Sequence, residues 1–350
     1  MRGKPEVKDI HQVWQEWDPS AAPLIDVRSP GEFQKGHIPG SINIPLFDND
    51  ERAEVGTLYK QVGKEAAFLK GLELVGPKMR HFVEEANRLS PHKKLYTYCW
   101  RGGMRSNSMA WLWRQAGLEV DVVSGGYKGY RRWVLSQLGQ SLDLIVLGGR
   151  TGSGKTEILH ALDACGEQVL DLEGMANHKG SSFGAIGEDP QPSTEHFENI
   201  LHHKLSQLDP QKRIWLEDES RSIGKVFIPD VLWQQMVAAQ VFIVHVPMEV
   251  RVGHLVDVYT HIDHQLLKEA VERIQRRLGG LATQQALQAL EEKDYAKTAE
   301  ICLSYYDKAY DYGLKQKKTN SVVEITLDVH HPEKAARKLI ALANERIPIQ

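Results

Sequence analysis

Short apolar runs bounded by turn residues recur along the chain and fall into two series. In the first, residues 23–28 read as a buried strand, followed by a turn at Ser29-Pro30-Gly31 and a polar segment ending in Gly36-His37-Ile38-Pro39-Gly40. Strands are expected again at 41–44, 94–98 and 120–123, with helix-rich sequence over 63–89 and helical periodicity over 106–116, closed by Gly117. The second series opens at 142–147, an apolar strand that runs into a glycine-rich turn and a helix from about Lys155. Further strands are expected at 168–172, 213–216, 240–246 and 321–327, with polar helices over 249–317 and a closing helix over 332–343. Strands alternating with helices indicate parallel sheets covered on both faces. The pattern therefore predicts two α/β domains, 1–138 and 139–350, the second with a helical segment over about 249–318, joined through a short linker near 138–141.

Composition narrows the setting. A chain of 350 residues can bury two separate cores. No run approaches the roughly 18 apolar residues of a membrane span, and the polar start at 1–12 lacks a signal-peptide pattern. The 3 cysteines, Cys99, Cys165 and Cys302, are too scattered for a disulfide framework or a spaced zinc site. A soluble protein in the reducing cytoplasm, with no membrane partner, is expected. The formal net charge of −3 excludes a polycation that binds nucleic acid everywhere, so any RNA contact must come from local basic clusters.

The first cysteine stands at a strand end. In Cys99-Trp100-Arg101-Gly102-Gly103-Met104-Arg105-Ser106 the glycines let the backbone curl so that several N–H groups point inward. The helix that follows adds its positive end, so the loop suits an anion and favours a nucleophilic sulfur. Arg105 would project a planar fork at a bound oxyanion, and Arg101 would do so from the rim.

A resemblance enters with the residues upstream. Leu24-Ile25-Asp26-Val27-Arg28, Glu32-Phe33, Gly36-His37-Ile38-Pro39-Gly40, Asn43 and Pro45 resemble the signature of rhodanese domains, over residues 24–130. The resemblance implies that Cys99 carries a transferable chalcogen, as a persulfide or its selenium counterpart. Asp26, Arg28, Glu32 and His37 read as scaffold, because such side chains brace turns through local hydrogen bonds. Five residues separate Cys99 from Arg105, one more than in the usual single-domain sulfurtransferase ring. That roomier ring resembles the loop of dual-specificity phosphatases and should admit phosphate or selenophosphate, although Tyr98 stands where those enzymes usually have histidine.

The second chemical motif is Gly149-Arg150-Thr151-Gly152-Ser153-Gly154-Lys155-Thr156, a phosphate-binding loop placed after a strand and before a helix. Its backbone N–H groups would surround a diphosphate, Lys155 would neutralise it, and Thr156 would ligate magnesium with Glu217 or Asp218. Glu217, Asp218 and Glu219 are the acidic group expected at the end of a neighbouring strand. The glycine-flanked loop after residue 171 carries His178, Lys179, Ser181 and Ser182, which with Arg221 are acceptor-site candidates. A loop of this kind recognises a diphosphate and does not by itself specify a base.

Taken together, the cysteine loop, the phosphate loop, Leu172-Glu173-Gly174-Met175-Ala176-Asn177-His178-Lys179-Gly180 and Glu217-Asp218-Glu219-Ser220-Arg221 closely resemble the tRNA 2-selenouridine synthase family, across nearly the whole chain. The resemblance implies a rhodanese-like domain followed by a P-loop NTPase-like domain with a helical extension. It also implies a transferase that converts wobble 2-thiouridine of tRNA to 2-selenouridine. The co-substrates would be geranyl diphosphate, for S-geranylation, and selenophosphate, with a selenophosphate-supplying enzyme as partner and no tightly bound cofactor. For tRNA the local candidate is Tyr127, Lys128, Tyr130, Arg131 and Arg132, where cations could meet phosphates and aromatics could stack on bases. Arg273, Arg276 and Arg277 form another basic stretch, with a solvated helix as the plainer reading. Two rivals stand beside this: a P-loop kinase or nucleotidase with a phosphatase-like or sulfurtransferase domain, and a non-catalytic RNA-binding or sulfur-carrier module.

Overall fold

The computed structural model of the chain describes residues 7–8, 10–181, 183–316, 322–328 and 331–346. It divides into two compact units, Met1–Gln137 with Glu198–Ile200, and Leu138–Phe197 with Leu201–Gln350.

The first unit is a parallel sheet with helical connections. Its elements are β1 (Val7–Lys8), α1 (Ile10–Glu16), β2 (Leu24–Asp26), α2 (Pro30–Lys35), β3 (Ile42–Asn43), α3 (Asn49–Gln61) and α4 (Lys64–Val75). After them come α5 (Met79–Leu89), β4 (Lys94–Tyr98), α6 (Met104–Gln115), β5 (Glu119–Val123) and α7 (Gly126–Gln137). The strand order is β1-β5-β4-β2-β3, and each neighbouring pair is parallel. β4 lies at the centre, so residues just past Tyr98 leave the carboxyl end of a fully flanked strand. Trp113, Met109 and Phe82 pack with Ile25, Leu95 and Val120 in one apolar cluster, and the Trp113 indole N–H donates to the Phe82 carbonyl at 2.9 Å. The sequence pattern did not single out α3, a helix with no fully buried residue; Asp48 and Glu51 start it as a reciprocal capping box. β1, α1 and α7 were likewise not foreseen as elements.

The second unit repeats the plan. It contains β6 (Leu144–Gly149), α8 (Lys155–Ala164), β7 (Gln168–Leu170), α9 (Leu172–Met175), α10 (Thr194–Leu205), β8 (Ile214–Glu217), β9 (Ser222–Ile223) and β10 (Val226–Phe227). These lead to α11 (Asp230–Ala238), β11 (Gln240–His245), α12 (Met248–Tyr259), α13 (His264–Arg273), α14 (Gln275–Leu278), α15 (Gly280–Glu291), α16 (Tyr295–Gln316), β12 (Val322–Thr326) and α17 (Pro332–Arg346). The main sheet is parallel in the order β12-β11-β6-β8-β7, with β9 and β10 a separate antiparallel ribbon. β6 is central, and its connection departs to the far edge before β8 returns beside it. Ligands of open α/β sheets sit at such a reversal. The helical extension α12 to α16 has its own apolar cluster around Tyr259, Leu267, Leu290 and Cys302. Residues 317 and 321, at the ends of two expected elements, lie outside the described residues. No helix among the described residues is long and apolar enough to cross a membrane.

Candidate functional site

The cysteine loop is built by backbone closure. Cys99 follows β4 directly and is only 3 % exposed; its Sγ accepts the Gly103 N–H at 3.3 Å and the Ser106 hydroxyl at 3.2 Å. The start of α7 braces the loop from below, Tyr127 N–H bonding the Cys99 carbonyl and Lys128 N–H the Trp100 carbonyl, each at 2.9 Å. Gly126 makes that approach feasible. Its φ is +54°, and a Cβ there would lie 2.2 Å from the Cys99 carbonyl oxygen. Gly102, at φ +66°, likewise leaves no room for a side chain beside the Val123 carbonyl.

The rhodanese-like signature residues hold this loop in place. Arg28 is buried, chelates Asp26 at 2.6–3.0 Å, donates to the Gly36 carbonyl at 2.7 Å and lies 3.9 Å above the Tyr127 ring. Asn43 bonds the carbonyls of Asp26 and Arg28, and His37 contacts the Phe33 carbonyl. Burial keeps the His37 imidazole below its usual pKa, so it is neutral scaffold. Tyr98 is buried and bonds the Ser41 hydroxyl and the Ile38 N–H, which commits it to the turn between α2 and β3.

Arg105 departs from the expected role. Its fork is taken by Glu32, at 2.7 and 3.2 Å, instead of facing the loop as an anion clamp. Burial pushes the Glu32 carboxyl up, but the hydrogen bonds and charge of Arg105, with Arg52, outweigh it and hold it below the usual range. Arg101 is exposed at the rim.

The tRNA candidates split. Tyr127 and Tyr130 are fully buried, and Arg28 covers a face of Tyr127, so neither ring can stack on a base. Arg131 pairs with Glu198 and donates to Asn199 at 2.6 Å. Lys128 and Arg132 remain exposed. Arg273, Arg276 and Arg277 are also exposed, the last near the Tyr305 hydroxyl.

In the second unit the phosphate loop leaves β6 and turns into α8. Gly152 and Gly154 take φ of +79° and +74°. Lys155 Nζ donates to the Gly149 carbonyl at 3.3 Å, and Ser153 is buried within the loop. The carboxylate beside Thr156 is Glu173, 3.2 Å from Thr156 Oγ1, and not Glu217 or Asp218. Glu217 is buried and accepts the Leu172 N–H at 2.9 Å. Burial, together with the charges of Asp171 and Glu173, holds its carboxyl well above the usual range. Burial and Glu173 raise Glu219 in the same direction. Asp218 lies against Gly148, where its Oδ2 would be 3.4 Å from an added Cβ.

The loop after α9 covers this acidic group. His178 N–H bonds the Glu173 carbonyl, and Gly180, at φ +66°, fits so tightly that a Cβ would meet Glu173 and Glu219 oxygens at 2.4 and 2.6 Å. His178 is buried, and burial depresses its pKa. Lys179 pairs with Glu188 at 2.8 Å, and Arg221 with Asp230, both at exposed positions. Ser181 turns back, its hydroxyl accepting the Phe183 N–H; Ser182 lies outside the described residues.

Sequence reasoning missed a clamp from the helical extension. Asp307, Tyr310 and Asp311 share one face of α16. Asp311 holds Arg150 at 2.8–3.1 Å, while Asp307 holds Arg251, which is only 1 % exposed and also donates to the Thr151 carbonyl at 3.1 Å. Glu173 was missed too, although Asp171 caps α9 and so announces a turn there.

Among the described residues no group of three or more His, Cys, Asp or Glu is arranged to ligate a metal. Thr156 and Glu173 form a partial oxygen set, which suits magnesium because that ion usually takes the rest of its shell from phosphates and water.

Comparison with known proteins agrees with this two-unit layout. The model of the tRNA 2-selenouridine synthase AAA domain matches residues 142–330, and that of the rhodanese-like domain matches 9–132. A tRNA 2-selenouridine synthase of Shewanella sp. (strain MR-7) is 36% identical over 338 residues, covering 85% of this chain and 89% of the relative. One from Sulfurovum sp. (strain NBC37-1) is 34% identical over 330 residues, 84% of this chain and 89% of its own. A crystallised N-terminal domain from Clostridium difficile 630 is 40% identical and covers 37% of this chain and 99% of that domain, with a TM-score of 0.35. With both domains matched and this identity sustained across most of its length, the chain belongs to the tRNA 2-selenouridine synthase family.

Proposed function

We propose that this protein replaces sulfur by selenium in the 2-thiouridine at the wobble position of tRNA, in two steps at two sites. At the phosphate loop the base sulfur attacks C1 of geranyl diphosphate. The S–C1 bond forms, the C1–O bond breaks, N3 loses its proton and diphosphate departs against Lys155 and the loop N–H groups. At the Cys99 loop selenium from selenophosphate adds at C2, the C2–S bond breaks and geranylthiol leaves with a proton. Cleavage of the P–Se bond by water then releases phosphate. Alkylation is the activating step, because a bare thiocarbonyl sulfur leaves poorly and a thiol leaves well. Magnesium, held by Thr156 and Glu173, would add charge stabilisation to the departing diphosphate.

The observation that carries this reading is the pairing of two differently equipped loops in one family member: a buried thiol in a glycine ring, and a lysine-bearing diphosphate cradle closed by α16. Exposed Lys128 and Arg132 are the proposed phosphate contacts for tRNA. Such a substrate places the work in the cytoplasm, and labile selenophosphate calls for a nearby supplying enzyme. The test is mass spectrometry of wobble nucleosides after incubating thiolated tRNA with geranyl diphosphate, with selenophosphate, and with both. S-Geranyl-2-thiouridine with the first and 2-selenouridine only with both are expected. ATP turnover that ignores Cys99, with no modified nucleoside, would instead make this a kinase or nucleotidase.

A further inference from the structure

A cavity of about 740 Å³ opens beside Cys99 within the first unit. Its far walls come from α3 and α4, helices that together bury a single residue, Ala67. Tyr59, Phe68, Leu72 and Met104 line it, yet they remain 48–60 % exposed. Large apolar side chains gathered around a recess, with a nucleophile on its wall, are the signature of a ligand pocket, and the volume falls within the usual range of about 300–1,000 Å³. The rim is cationic: Lys60, Lys64 and Arg101 line the same space. Gly71 sits mid-helix in α4 and faces the cavity, where a Cβ would lie 3.4 Å from the Phe47 ring. A glycine inside a helix is unfavourable relative to alanine, and here it lets α4 pass the Phe47 ring and keeps that wall of the cavity free of a side chain.

The combination of apolar walls, cationic rim and adjacent thiol matches one kind of molecule, a nucleotide carrying a hydrocarbon chain on the atom to be displaced. We infer that this cavity binds the prenyl chain of the S-alkylated nucleoside and so presents its C2 to the Cys99 loop. The inference rests on the two-step function proposed above, in which the alkylated base is the reactant at Cys99. The walls hold the chain, Lys60, Lys64 and Arg101 meet the flanking phosphates, and the pocket selects alkylated over unalkylated tRNA.

Binding and turnover separate this inference from the function on which it rests. Titration calorimetry of the full chain with S-geranyl-2-thiouridine and S-methyl-2-thiouridine nucleosides reads the pocket alone. A buried methylene is worth about fourfold, so seating roughly four of the chain's carbons in this half-open recess should make the geranyl nucleoside bind on the order of 100-fold tighter. Leu72→Asp, at an exposed position, and Gly71→Leu, which favours the helix while filling the space, should each reduce that ratio below about tenfold and leave the S-methyl affinity unchanged. Equal affinities in the unaltered protein, or a ratio that survives both folded variants, would overturn the assignment. Selenophosphate-dependent conversion of pre-geranylated tRNA is measured alongside. Length-dependent binding without conversion would support the pocket and remove the selenation step; conversion without length dependence would do the reverse.

Discussion

Replacing Arg251 by alanine should damage the phosphate loop, the proposed diphosphate site, from beneath. The guanidinium is buried, chelates Asp307 at 2.7 and 2.8 Å and donates to the carbonyls of Thr151 and Val246 at 3.1 and 3.2 Å. Breaking a buried pair by removing one partner costs about 3–5 kcal/mol, because the other charge stays behind. Asp307 keeps a small exposed fraction, so the low end of that range applies, and the two carbonyl bonds together add at most about 1 kcal/mol, at about 0.5 kcal/mol each. A loss of about 3–4 kcal/mol is expected. At roughly 2–4 °C per kcal/mol for a domain of this size, the melting transition of the second unit should fall by about 6–16 °C. The Thr151 carbonyl, freed of its donor, would no longer fix the phosphate loop, so affinity for geranyl diphosphate should drop by about tenfold. Scanning calorimetry and titration with that diphosphate read the two effects. Asp307→Ala combined with Arg251→Ala should cost less than the sum of the single changes, since neither then strands a charge. A folded Arg251→Ala protein with an unchanged melting transition and unchanged diphosphate affinity would refute the clamp.

Gly126→Ala should abolish selenation and leave geranylation in place, because the added methyl would collide with the Cys99 carbonyl in a loop remote in sequence from the phosphate motif; activity with both donors, assayed on tRNA, checks it. Glu217→Gln should flatten the pH dependence of stability. A carboxyl whose folded pKa lies above its unfolded value binds its proton more tightly when folded, so the native protein loses stability as pH rises through the ordinary carboxylate pKa toward the raised one. Melting curves from pH 4 to 8 should show that decline reduced in the variant, and an identical decline would remove Glu217 as its source. Lys128→Ala with Arg132→Ala should weaken tRNA binding and lower the logarithmic salt slope by about 0.7–0.9 per contact, with geranyl diphosphate binding preserved.

Both loops were legible in the sequence because each is a local backbone device: a strand, a glycine turn and a helix in immediate succession. The alternation of strands and helices likewise exposed both parallel sheets, with ends displaced by a residue or two. What escaped was set by topology or by competing partners. Glu173 meets Thr156 only because β7 and its following helix come back toward the loop after β6, and Asp307 and Asp311 reach it from some 150 residues downstream. Arg105 looked like a free fork until Glu32 was seen to occupy it. The error over Tyr127 and Tyr130 was avoidable: with Val134 they stand at i, i+3 and i+7, the buried stripe of α7.

The assignment of two chemistries to two sites is tested most directly by separating them. Thiolated tRNA incubated with geranyl diphosphate, selenophosphate and either Cys99→Ser or Lys155→Ala protein is digested, and its wobble nucleosides are quantified by mass spectrometry. Separate sites predict that Cys99→Ser accumulates S-geranyl-2-thiouridine with little 2-selenouridine. Lys155→Ala should form neither product, yet should still selenate tRNA that was geranylated beforehand. Normal selenation by Cys99→Ser, or failure of Lys155→Ala on pre-geranylated tRNA, would contradict the assignment.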